Sequence, residues 1–219
     1  MEFGEIVSVL LQGAVVTIKI VAMALPLAAA MAFIFGLMRL YGGFPLKQLA
    51  VVYIEFFRGT SALIQLYWIY FVLPLFGLSI DAMTAGVIAL GLNIGAYGTE
   101  VVRGAISSVP KGQFEASVAL NFTPSQSLRR IILPQALVGM IPPFGNLAIE
   151  LVKATSLVSL ITIADLTFKA KSLADMTLQV GEIFGVVLLL YFVIAQCLAL
   201  CFRYLEKRLS KGLGRGGVK

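Results

Sequence analysis

The stretch IFGVVLLLYFVIAQCLALCF, residues 183–202, is twenty residues long and carries no charge. At ~1.5 Å per residue it makes a helix about 30 Å long, the thickness of a bilayer's hydrocarbon core. Arg203 follows at once, and six bases lie between Arg203 and Lys219. An apolar run closed by a basic cluster is the pattern of a crossing that ends in the cytoplasm. The fold class is therefore all-α integral membrane.

Outward from this run, four more charge-free stretches appear: Ile20–Met38, Gly59–Ile80, Ala82–Thr99 and Ile131–Ile149. A shorter one, Ala154–Ala164, is set off from the fourth by Glu150 and Lys153. The first opens near Val7, with Lys19 inside it, and Met1–Glu5 lacks the bases of a secretory leader, so it reads as an uncleaved span. Five spans are expected, at about 7–39, 60–79, 82–103, 143–164 and 181–202, within one domain over 1–219. The composition agrees: 59% hydrophobic, 13% charged, mean hydropathy +0.96. No room remains for a soluble catalytic domain. Histidine is absent, which excludes His-based catalysis and His metal sites. Cys197 and Cys201 have no further metal ligands nearby and read as apolar filler.

Charge sets the expected orientation. The Phe76–Asp81 turn has no base, whereas Arg39–Lys47 has two, Arg103–Arg130 four and the tail six. The positive-inside rule puts the N-terminus outside and the C-terminus in the cytoplasm. That basic tail is a topology signal, so the net charge of +6 does not indicate a nucleic-acid partner. Asp165–Asp175, with Lys169 and Lys171 against two acids, is balanced and reads as a connection. Five spans leave no clean inverted repeat of the kind found in many secondary transporters.

Two segments need closer reading. Leu49–Leu78 is too long for one upright helix, so Arg58-Gly59-Thr60-Ser61 is a bend or a cytoplasmic-surface entry, or else the helix is long and tilted; 49–58 is either interfacial or part of the second span. Pro124–Ile141 carries Arg129 and Arg130 and ends at Pro142-Pro143, a strong helix interruption. It is expected along the cytoplasmic interface, with the fourth span starting near Pro143. Glu150 and Lys153 then fall near mid-membrane.

The cytoplasmic segment at about 104–134 contains Glu115-Ala116-Ser117, Asn121 four residues on, then nine residues and Ile131-Ile132-Leu133-Pro134. This resembles the EAA loop, E-A-A-x3-G-x9-I-x-L-P, of ABC importer permeases. Ser117 replaces the second Ala and Asn121 the Gly, and Asn is a residue that tolerates positive φ. Glu55-Phe56-Phe57-Arg58-Gly59-Thr60, with Leu63 and Gln65, is similar to the E-x-x-R-G-T-P segment of polar amino acid permeases, with Ser61 in place of Pro. Ala96-Tyr97, Glu100, Arg103-Gly104 and Gly112-Gln113 resemble the stretch leading into their EAA loop, and Asn146 with Lys153-Ala154-Thr155-Ser156-Leu157 their N-x6-K-x-T-S-L segment.

The resemblance implies a type I ABC importer permease fold with a cytoplasmic coupling helix. It implies an inner-membrane subunit importing polar amino acids or related zwitterions, with the ectoine/hydroxyectoine group the nearest in flavour. Expected partners are a second permease, like or paralogous, two ATP-binding subunits and an extracytoplasmic solute-binding protein. No cofactor is expected in this chain, and ATP with Mg belongs on the ATP-binding subunit. Independently, a short helix over Lys111–Leu120, ended by Asn121, suits docking into a partner's groove. Gly112, Glu115, Ala116, Ser117 and Asn121 are its candidate coupling residues. The chain lacks G-x4-G-K-[ST], so it cannot cradle a nucleotide by that loop. A self-sufficient ion-coupled carrier or channel is the competing reading.

A charge at the bilayer centre costs at least ~2.5 kcal/mol, so Glu150 and Lys153 must face protein, water or solute. Spaced i,i+3, they either pair with each other or meet the two charges of a zwitterion. Thr155, Ser156 and Asn146 are candidate neutral partners for that solute, and Asn93 and Tyr97 line the same pathway or bond between helices. Glu100 with Arg103, and Glu55 with Arg58, read as two structural or gate ion pairs.

Overall fold

The computed structural model describes residues 3–210, and every regular element among them is helical. The last three bases expected of the tail, from Lys211 on, lie outside the described residues. The helices are α1 (Phe3–Tyr41), α2 (Phe44–Gly59), α3 (Ala62–Tyr67), α4 (Ala82–Ser107), α5 (Lys111–Ala119), α6 (Pro124–Ser127), α7 (Leu133–Ala154), α8 (Leu166–Thr177) and α9 (Val180–Ser210). Four helical runs are long and apolar enough to cross a membrane: Phe3–Tyr41, Ala82–Ser107, Pro124–Ile161 and Val180–Ser210. A fifth is built from α2 and the run Ala62–Phe76, bent by 104° at Thr60-Ser61. A bend, and not a long tilted helix, therefore joins 49–58 to the rest of the second span.

α1 is the spine. Its buried stripe Ile6, Leu10, Ala14, Thr17, Val21, Ala24, Ala28, Ala32 and Gly36 recurs at helical spacing and is dominated by small residues. It threads three apolar clusters in turn: with α8 and α9 around Leu166 and Ile183, with α4 and α7 around Leu90 and Leu151, and with α4 and α7 again around Ile106 and Met140. Small residues allow backbones to approach closely, which replaces the hydrophobic drive that lipid does not supply. A Cβ at Gly95 would meet Met31 Cβ at 2.8 Å and the Ala28 carbonyl oxygen at 3.1 Å, so any side chain there pushes α4 off α1. Gly13 is tighter still, because its Cβ would lie 2.8 Å from Leu166 Cα, and backbone cannot swing aside.

One expectation is corrected. Pro142-Pro143 does not interrupt the chain, which is helical without a break from Pro124 to Ile161. Residues 124–141 are thus the first part of the fourth membrane-length helix. Each proline removes a backbone donor and crowds the carbonyl four residues back, yet Ala136, Met140 and Ile141 are buried, Ala136 and Met140 against Val102 and Ile106. That packing holds the helix through the fault, as neighbouring helices often do at membrane depth. A third proline, Pro134, is accommodated differently: the π turn Leu128–Ile132 opens the ladder where its ring would meet the Arg130 carbonyl.

The connection expected at Asp165–Asp175 is itself helical, as α8. Asp165 caps it, its carboxylate accepting from Phe168 N at 2.9 Å and Thr167 N at 3.3 Å. Nothing in the charge balance of 165–175 announces this helix; its buried side, Leu166, Ala170, Leu173 and Ala174, packs on α1 and α9.

Candidate functional site

At one end of the bundle α5 projects beyond α4, and its ends are specified locally. Asn121 has φ 56°, Asn121 N bonds Val118 O at 2.9 Å and Phe122 N bonds Ser117 O at 3.0 Å. These are the two bonds of a Schellman stop, with Asn in the left-handed position that glycine would otherwise hold. Thr123 and Gln126 then form a reciprocal capping box that starts α6 two residues later. The short helix is therefore clamped at its exit. Ser117 is buried and donates to the Phe114 carbonyl at 2.7 Å, so it faces the bundle. Gly112, Glu115 and Ala116 are exposed, as are Val118 (69%) and Leu120 (66%). An exposed apolar pair beside a carboxylate on a rigid nine-residue helix is a surface made to be covered.

Above it, one carboxylate gathers three guanidinium groups. Glu100 bonds Arg39 of α1 and Arg103 of its own helix (2.8 Å), and Arg58 of α2 lies 3.8 Å away. The Glu100–Arg103 pair forms as spaced. The Glu55–Arg58 pair does not: Glu55 is exposed and joins no ion pair among the described residues, while Arg58 reaches Glu100 and lies 5.3 Å over the Tyr97 ring. Spacing within one helix could not foresee this, because Arg39 and Arg58 reach Glu100 only when α1, α2 and α4 pack. Beside Glu100 opens a cleft of about 450 Å³ bordered by Gly104, Ser108, Gly139 and Pro143.

Along α7 the exposed residues Pro142, Asn146, Glu150 and Lys153 form one stripe. Glu150 and Lys153 bond each other at 2.8 Å, with side chains 60% and 63% exposed. Their pairing is real in this chain, yet they are not sealed in. Lys153 and Ser156 border a groove of about 370 Å³ shared with Val152, Tyr191, Phe192 and Ala195. Ser156 donates to the Lys153 carbonyl at 2.8 Å. Thr155 is fully buried and donates to the Val152 carbonyl at 2.7 Å, so it packs inward and does not share the stripe.

Asn93 is also committed internally. Its amide donates to the Phe57 carbonyl at 2.9 Å and to Gln65 Oε1 at 3.1 Å. Gln65 in turn donates to Thr60 Oγ1 at 2.7 Å and Phe57 O at 3.0 Å. The two amides thus take up carbonyls freed where α2 ends. Of the pathway candidates, Asn93 is bonding between helices, and Tyr97 is half-open beneath Arg58.

Sequence reasoning missed Asp165 and Tyr191. Asp165 is fully buried, its carboxylate 3.5 Å from Tyr191 Oη, which also bonds Thr167 Oγ1 at 2.9 Å. Thr17 of α1 accepts from Leu166 N at 3.3 Å. The network ties α1, α8 and α9, and Tyr191 is shared with the groove beside Lys153. Burial pushes the Asp165 carboxyl up to about 6, against the lowering effect of its bonds from Phe168, Thr167 and Tyr191. A raised carboxyl favours the folded state when protonated, so its contribution is complete below the unfolded value of 3.8 and is lost as pH rises through about 6. Thermal melting of the detergent-purified chain between pH 4 and 6.5 should therefore show a slope that Asp165→Asn flattens, since Asn keeps the cap. An identical slope in both proteins counts against the assignment.

With this geometry described, residues 24–211 match the family model described as binding-protein-dependent transport system inner membrane component. The probable amino-acid ABC transporter permease protein y4tF of Sinorhizobium fredii is 44% identical over 98% of this chain and 92% of its own length. The glutamine transport system permease protein GlnP of Escherichia coli is 36% identical over 93% and 94%, respectively. The crystal structure of an amino acid ABC transporter with histidines superposes with a TM-score of 0.86 at 34% identity, covering 95% of this chain and 99% of that one. The MetNI methionine ABC transporter in an inward-facing form shares the fold, with a TM-score of 0.78 at 20% identity.

Proposed function

We propose a function from one premise: this chain belongs to the family of binding-protein-dependent transport system inner membrane components. It is a multi-pass permease subunit of an ABC importer, and ATP is hydrolysed on a separate subunit. Its cargo is a polar amino acid or a related zwitterion, in keeping with relatives named for glutamine and L-cystine transport. The working complex joins it to a second permease, identical or paralogous, two ATP-binding subunits that hold ATP and Mg, and an extracytoplasmic solute-binding protein. The N-terminus lies outside and the C-terminus in the cytoplasm, which puts α5 on the ATPase side.

The observation that carries this reading is the open polar stripe of α7. Glu150 stands eleven residues before its helical run ends at Ile161, near mid-membrane at ~1.5 Å per residue or slightly more. Two exposed charges at that depth are too costly against lipid, so a partner permease and water must face them. Their opposite signs complement a zwitterion: Lys153 meets the carboxylate and Glu150 the ammonium, once the solute separates their own pair. ATP-driven closure of the ATPase subunits moves the two α5 helices as rigid bodies, because the Schellman stop and capping box leave no slack at the exit of α5. That motion opens the permeases alternately to the two sides.

The test is Glu115→Lys in the complete complex. It should lower transport and substrate-stimulated ATP hydrolysis by about tenfold while membrane insertion is unchanged, the loss expected if the reversed charge weakens docking by ~1.4 kcal/mol. Unaltered transport and stimulation would remove α5 from the coupling path. A panel of amino acids, ectoine and hydroxyectoine presented with the binding protein then names the cargo.

A further inference from the structure

We propose that the break Gly59-Thr60-Ser61 forms part of the wall of the solute pathway, with Gln65 and Asn93 as the positioning residues that hold it there. The proposal rests on the importer reading. Its first support is depth. Asn93 lies eleven residues into α4, about 17 Å from the helix start at ~1.5 Å per residue, and it bonds the Phe57 carbonyl. The break is thus near the middle of a ~30 Å hydrocarbon layer, not at its surface.

The second support is exposure. Gly59, Thr60 and Ser61 are all exposed, and Ser61 starts α3 without a side-chain cap. Non-helical backbone is not tolerated against lipid at this depth; it occurs only where protein or water covers it. The inward side of the break is already satisfied, because Gln65 and Asn93 bond the carbonyl of Phe57 and the hydroxyl of Thr60. What remains uncovered is the outward side, together with the half-exposed guanidinium of Arg58 just before it. Exposed non-helical backbone next to a cation favours water and a passing polar solute over a dry protein contact. The position fits as well: α3 packs on the turn Thr155–Ile161, which follows directly on Lys153. The bend and the Glu150–Lys153 stripe thus belong to two spans that pack on each other.

The two amides are what make the bend a fixed feature. Without them the Phe57 carbonyl would be orphaned at membrane depth, and the chain would gain by straightening into one helix across Thr60. Replacing either amide should therefore move Ser61 relative to α4, an effect that simple loss of packing elsewhere would not produce.

The experiment uses the assembled complex with Cys197→Ser and Cys201→Ser as background. Ser61→Cys is nearly isosteric and breaks no side-chain bond of the helix start. It should react with the membrane-impermeant anion methanethiosulfonate ethylsulfonate about tenfold faster than Leu188→Cys on the apolar face of α9, since only a hydrated site supplies the reacting thiolate. The rate should differ between the nucleotide-free and ATP-trapped complexes. Gln65→Leu should change that rate and lower transport; Thr60→Val, which removes the hydroxyl that accepts from Gln65 and donates to the Phe56 carbonyl, should act in the same direction more mildly. A Ser61→Cys as slow as Leu188→Cys in every nucleotide state, in a complex that transports, overturns the proposal and means that packed protein covers the break. Failure of the unsubstituted complex to transport any zwitterion would instead overturn the importer reading.

Discussion

Glu100→Gln should be the most damaging single substitution away from the coupling surface. The amide keeps the shape of the acid but leaves Arg39, Arg58 and Arg103 around a neutral group, so three cations repel with nothing between them. A fully buried pair that loses one partner costs about 3–5 kcal/mol and an exposed pair about 0–1. This cluster is between a quarter and two-fifths exposed, so roughly 2 kcal/mol is expected, a fall in melting temperature of about 4–8 °C for a chain this size. Glu55→Gln supplies the control, because Glu55 joins no ion pair among the described residues and should change the melting point very little. Equal effects from the two substitutions would show that total charge, not the convergence on Glu100, sets the loss.

Lys153→Met should reduce transport by about tenfold or more with almost no change in melting temperature. The Glu150–Lys153 bond is more than half exposed, and an exposed pair contributes only about 0–1 kcal/mol to stability. Its removal is therefore nearly silent in folding and costly only where a solute carboxylate needs the ammonium group. Glu150→Gln should act on the other charge: zwitterions with a cationic group lose rate, and the ranking of substrates changes. The two residues are bonded, so their combined effect should not equal the sum of the single ones. Transport rates and rankings in proteoliposomes with the ATPase and binding protein decide the matter. If both variants transport normally and only their melting points fall, the pair is structural and the zwitterion assignment is wrong.

Sequence by itself determined the features that depend on near neighbours or on the solvent. A bilayer demands about twenty apolar residues per crossing, so the runs ending at Met38, Thr99 and Phe202 were visible without tertiary information. The exit of α5 was visible for a similar reason: Asn121 reaches its left-handed turn by its own backbone preference. Tertiary structure alone decided the rest. Arg58 stands three residues from Glu55 in sequence, yet its partner is Glu100, brought near by the packing of α2 on α4. For Asn93 the pathway and a bond between helices were equally open until the bend at Thr60 presented it with the Phe57 carbonyl. Pro142-Pro143 had the look of a helix end until Ala136 and Met140 found Ile106 and Val102 to hold the turn together. Asp165 sits in a stretch of ordinary polarity and is buried only because Gly13 of α1 has no side chain to keep α8 away. In each case the deciding partner is far along the chain, and at membrane depth an unpaired polar group is costly enough that packing, not local preference, chooses where it bonds.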